Sequence, residues 1–85
     1  MIFNPLHLNA NGTTTVAHPC TLHSVTVNTK GATANTLTIS DGTNVIAVID
    51  TTAGPSYYLF DAQCLTSLIA TLAAGTAADV TLTYG

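Results

Sequence analysis

The sequence predicts an all-β fold: a compact jelly-roll-like or Greek-key β-sandwich of about seven short antiparallel strands. Three observations carry that expectation. Short apolar runs recur between Gly, Pro, Asn and Asp clusters at spacings of about 8–12 residues, as in sandwiches and barrels. Threonine, whose β-branch suits a pleated surface, fills 17 of 85 positions. Finally, Val45-Ile46-Ala47-Val48-Ile49 is apolar at both parities and sits between turn signals, Asp41-Gly42-Thr43-Asn44 and Asp50-Thr51-Thr52-Ala53-Gly54-Pro55. A β-branched run this short reads as a strand covered on both faces rather than as a buried helix. A facing sheet of the same chain covers one face. The other asks for a cover that a neighbouring copy would supply.

Taken in order, residues 1–12 read as an N-terminal arm and 13–85 as a single domain. Pro5, Gly12 and three Asn break any period in the arm, yet Ile2, Phe3, Leu6 and Leu8 are too apolar for a solvated tail. Such an arm frays, docks on a sister subunit or another partner, or adds a strand to a sheet. Thr13–Ala17 is a first strand, stopped by Pro19. Cys20–Thr29 is the second; His23, Val25 and Val27 share a parity that Leu22 lacks, and a bulge near His23-Ser24 would return Leu22 to the core. After the small-residue loop Lys30–Asn35, Thr36–Ser40 points Leu37 and Ile39 inward, and Asp41-Gly42 turns it back into the apolar run. Tyr57-Tyr58-Leu59-Phe60 is again apolar at both parities. In Cys64–Leu72, Leu65, Leu68, Ile69 and Leu72 have helical spacing, but Thr66, Ser67, Thr71 and the lack of charge favour a strand. Ala73–Ala78 is a loose turn, and Asp79–Tyr84 a last strand with Val80, Leu82 and Tyr84 inward.

The charge inventory excludes whole classes of partner. Lys30 is the only basic residue against Asp41, Asp50, Asp61 and Asp79, a net charge of −3. Nucleic-acid binding needs cations to displace counterions, and an acidic surface does not favour an anionic membrane. Charged residues make up 6% of the chain, against roughly 25% in ordinary domains, which suggests a surface largely occupied by other subunits. No stretch approaches the ~20 apolar residues of a membrane span, and the start lacks the pattern of a signal peptide, so the expected site of synthesis and assembly is the cytoplasm. There Cys20 and Cys64 default to buried thiols; a bridge opens to them only in an oxidising medium.

No constellation reads as catalytic, cofactor-binding or metal-binding. His18-Pro19-Cys20-Thr21-Leu22-His23 puts Cys20 and His23 on opposite faces of a regular strand and has no second cluster to complete four ligands. Cys64 with a histidine would make a nucleophile pair, but no neighbouring cation or glycine-rich turn marks an activated thiol. All four aspartates lie beside turns, where hydrogen bonding to the backbone is their ordinary work. The expectation is a protein that is not an enzyme and needs no cofactor.

Four stretches carry a family likeness: Cys20-Thr21-Leu22-His23-Ser24-Val25-Thr26-Val27-Asn28-Thr29, Leu37-Thr38-Ile39-Ser40-Asp41-Gly42-Thr43, Ile46-Ala47-Val48-Ile49-Asp50 and Ala78-Asp79-Val80-Thr81-Leu82-Thr83-Tyr84. Together they resemble the small capsid decoration (cement) and head-fibre-like β domains of tailed bacteriophages. The resemblance implies a homotrimeric sandwich in the virion. It would sit on the capsid surface, bind the major capsid protein and brace the head against packaged DNA. It identifies strands, not contacts, so no binding residue transfers with it. The alternative is a receptor- or glycan-binding module of a tail fibre or spike. Interface cores are poor in charge and rich in aromatics. The residues expected at the subunit or capsid interface are therefore Phe3, Leu6, Ile46, Val48, Tyr57, Tyr58 and Phe60.

Overall fold

Among the described residues eight segments, not seven, extend into strands: β1 (Asn4–Leu8), β2 (Gly12–Val16), β3 (Cys20–Thr29), β4 (Thr36–Asp41), β5 (Asn44–Asp50), β6 (Ser56–Cys64), β7 (Leu68–Ala73) and β8 (Asp79–Tyr84). The computed structural model describes residues 2–54 and 56–85; Met1 of the expected arm and Pro55 of the expected turn lie outside them. β1 pairs with β8, β2 with β7, β3 with β6 and β4 with β5, all antiparallel. The chain is thus one long hairpin closed at the Gly42-Thr43 turn. Lateral pairing of β3 with β8 and of β4 with β7 rolls that hairpin into two four-stranded sheets, β1-β8-β3-β6 and β2-β7-β4-β5. This winding is the jelly roll. Short links join β1 to β2, β8 to β7, β3 to β4 and β6 to β5, so the sheets overlay in that order, with β5 and β6 together along one flank.

Alternation decides what fills the space between the sheets. Leu22, Val25, Leu37, Ile39, Val80 and Leu82 are fully buried there, as the parity of β3, β4 and β8 requires. The expected bulge is present: register shifts between Leu22 and Ser24 against both neighbours of β3, and Leu22 regains the core.

Three segments differ from the sequence expectation. Within the N-terminal arm, Asn4–Leu8 pairs with β8 of its own chain, and Leu6 and Leu8 pack on the core. Leu65–Ser67 forms a turn between β6 and β7, so the helically spaced Leu65 is exposed while Leu68 and Leu72 are buried. β6 runs on to Cys64 through an irregularity at Phe60-Asp61, where Asp61 takes a left-handed φ of 48°.

Loops at one end are tied by a buried polar knot. Asn35 is fully buried; its Nδ2 donates to Asn11 Oδ1 and to the carbonyls of Ala73 and Ala74, at 2.8–3.1 Å. Its Oδ1 accepts from Thr51 Oγ1 at 2.6 Å and from the Ala78 amide at 3.2 Å. One side chain therefore fixes the β1–β2, β3–β4, β5–β6 and β7–β8 connections together. Gly75 closes the same end at φ 55°, where a Cβ would strike the carbonyl oxygens of Ala32 and Thr33.

Candidate functional site

Besides Ile2 and Leu65, the large apolar side chains that the fold leaves bare among the described residues lie on the outer faces of the edge strands β5 and β6. In β4 and β5, Thr38 faces Val48 and Ile39 faces Ala47, but Ser40 faces Val45, so Ile46 is the extra residue of a bulge. The bulge changes which residues share a side. Ile49 is buried and Ile46 packs on the core, whereas Val45 and Val48 both stand outward, each 63% exposed. Across the flank β6 alternates strictly, with Tyr58 and Phe60 packed on the core and Tyr57 and Leu59 outward at 60% exposure.

The residues expected at an interface therefore divide. Val48 and Tyr57 lie on the exterior, on opposite sheets. Leu6, Ile46, Tyr58 and Phe60 are half-buried against the core. Phe3 stacks on His23, ring centroids 4.1 Å apart and planes 8° from parallel. Val45 stands beside Val48 on the outer face of β5, and Leu59 beside Tyr57 on the outer face of β6, so each edge strand carries its own bare apolar pair. The bulge hid Val45, whereas the alternation of an edge strand could have found Leu59.

Several polar side chains bond one another or the backbone. On the outer face of the first sheet, His7 Nε2 donates to Asp79 Oδ1 at 2.7 Å, and Asn28 Nδ2 reaches both Asp79 and Thr81 at 3.0 Å. These bonds, Asn28 first, hold the Asp79 carboxyl below the ordinary aspartate range. His23 Nδ1 donates to Asp61 Oδ1 at 2.6 Å, and His18 Nδ1 donates to the Pro19 carbonyl at 2.9 Å. Among the described residues, no three His, Cys, Asp or Glu side chains converge as a metal site would require. Cys64 faces Cys20 and none of the histidines; burial first, and Cys20 beside it, push its thiol up to about 11, the reverse of an activated nucleophile.

Asp41 holds the turn beneath this flank. Its carboxylate accepts from the Leu65, Thr66 and Ser67 amides at 2.8–3.2 Å, which lowers its pKa. A depressed carboxyl stabilises the fold above the unfolded-state pKa and ceases to as pH falls through the lower folded value. Asp50, bonded to the side chain and amide of Thr52, shifts the same way. In melts of Asp41→Asn beside the parent, the variant's deficit should be larger at pH 7 than at pH 3; an equal deficit at both would mean the charge on Asp41 does nothing.

A jelly-roll sandwich with a sparsely charged, weakly acidic, threonine-rich chain and a bare apolar pair on each of the edge strands β5 and β6 is the class of molecule that these residues define. No protein-family model matches the chain, and no curated protein matches it.

Proposed function

We propose that the protein is a non-enzymatic structural protein of a phage virion: a capsid decoration (cement) protein that assembles as a homotrimer and binds the major capsid protein to stabilise the head. The single observation that carries this reading is the bare apolar pair on each edge strand, Val45 and Val48 on β5 and Tyr57 and Leu59 on β6, in a chain with almost no charge. Burying apolar area contributes roughly 25 cal/mol per Å² before the costs of association. A rivet built this way has few ions to strip of water, which is the expensive part of burying polar surface. Short, tightly connected strands suit the same task, because a brace gains from rigidity and needs no moving part.

The alternative, a glycan-binding module of a tail fibre, has one observation in its favour. A concavity of about 250 Å³ lies beside the β1–β2 turn, lined among others by His7, Asn9, Asn11 and Thr13, which offer donors and acceptors suited to sugar hydroxyls. Adding the protein to undecorated phage shells and following their rupture by heat or chelator separates the two. Saturable binding that raises the rupture threshold is the expected result. Saturable binding to cells, with none to shells, would overturn the cement reading in favour of the adhesin.

A further inference from the structure

We propose that Cys20 and Cys64 are a disulfide site: two thiols opposed across the β3–β6 ladder that an external disulfide converts into one intramolecular bridge. The inference is independent of the function proposed above. Cys20 and Cys64 are direct register partners on antiparallel strands, both are buried in the core, and each thiol lies near enough to act on the other's ionisation. Thr21 exchanges both backbone hydrogen bonds with Gly85, N to O at 2.7 and 2.9 Å. The backbone groups of Cys20 and Leu22 therefore point the other way, towards β6. That makes Cys20–Cys64 the wider kind of antiparallel pair, with Cα atoms about 5.5 Å apart, inside the roughly 4.4–6.8 Å that a disulfide spans, and its Cβ atoms, also about 5.5 Å apart, must close by roughly 1 Å to make the bond. The pair also sits at the end of its ladder, where a small adjustment disturbs few bonds.

The exchange needs a small-molecule disulfide such as oxidised glutathione. Cys20 keeps slight exposure while Cys64 has none, so Cys20 is the entry point. Its thiolate attacks one glutathione sulfur, forming a mixed disulfide and releasing one glutathione thiolate. Cys64 then loses its proton to solvent and attacks Cys20 Sγ, closing the bridge and releasing the second glutathione. Two protein thiols are oxidised and one glutathione disulfide is reduced to two thiols. Burial raises both thiols, so the reaction quickens as pH rises. The bridge would span a loop that crosses both sheets, and constraining so long a loop in the unfolded chain raises Tm, on the order of 10 °C.

The test incubates the purified protein in glutathione redox buffers, alkylates the remaining thiols and weighs the intact chain. A parallel sample is refolded from denaturant in the same buffers, so that poor access to the native thiols cannot mask the geometry. The expected product, from at least the refolded sample, has lost both thiols together, carries no glutathione and melts higher than the reduced chain. Cys20→Ser and Cys64→Ser variants should gain no such rise. A chain that keeps two free thiols after oxidative refolding would overturn the proposal. So would a stable glutathione adduct, a bridge between two chains, or an intramolecular bridge that lowers Tm.

Discussion

Asn35→Leu should leave the protein largely unfolded at room temperature. The two side chains have similar shapes, so lost volume is not the cause. The substitution withdraws the acceptor from the Ala78 amide, and it withdraws the donor from Asn11 and from the carbonyls of Ala73 and Ala74. A buried group left without a partner costs about 1–3 kcal/mol, and each lost bond about 1 kcal/mol more. The sum, on the order of 3–5 kcal/mol, matches the lower end of the about 4–13 kcal/mol that 85 residues give at about 0.05–0.15 kcal/mol each, which is where so small a domain is expected to lie. Asn35→Asp adds a directional check. The introduced carboxylate would face acceptors it cannot donate to, so folding raises its pKa. Stability would then be greatest in acid and fall as pH rises through that raised value. Urea unfolding across pH measures both variants. A Leu variant within about 0.5 kcal/mol of the parent, in the range of neutral surface changes, would show that the knot ties nothing.

Val48→Asp should separate association from folding. Val48 is exposed in the single chain, so the charge costs the fold about 1 kcal/mol at most, through strand preference. Buried between copies it has no cation to meet, since Lys30 is the only one in the chain. An unpaired buried charge costs about 3–5 kcal/mol, which weakens self-association by roughly 100-fold or more. Ile46→Asp, two residues away, should instead unfold the chain, because Ile46 packs on the core. Asn9→Asp, exposed on the opposite flank, should change neither property. Sedimentation beside thermal melts reads all three. Equal behaviour of Val48→Asp and Asn9→Asp would mean the outer face of β5 is not where copies meet.

How much of this was legible beforehand follows from what alternation can and cannot encode. The sandwich, the Asp41-Gly42 hairpin and the bulge at His23 were readable, because Leu22 falls out of phase with Val25 and Val27 and only an extra residue restores it. The bulge at Ile46 was not. In a run where every residue is apolar, a phase slip leaves no mark, so strict alternation puts Ile46 at the interface with Val48, whereas Ile46 packs on the core and Val45 stands outward. Asn4-Pro5-Leu6-His7-Leu8 offers only two apolar residues and a proline, which an edge strand tolerates, so alternation alone leaves a frayed, a docked and a strand-adding arm equally open. The knot at Asn35 joins residues up to 43 positions apart, and no local pattern announces it. The Cys20–Cys64 pairing depends in the same way on a register that only the folded ladder sets.

The bare apolar surface of the two edge strands is the centre of the account, and the mass of the particle in dilute solution weighs it most directly. Light scattering behind gel filtration at micromolar concentration should return about three times the 8.7 kDa chain mass. A monodisperse species at the mass of one chain would contradict it.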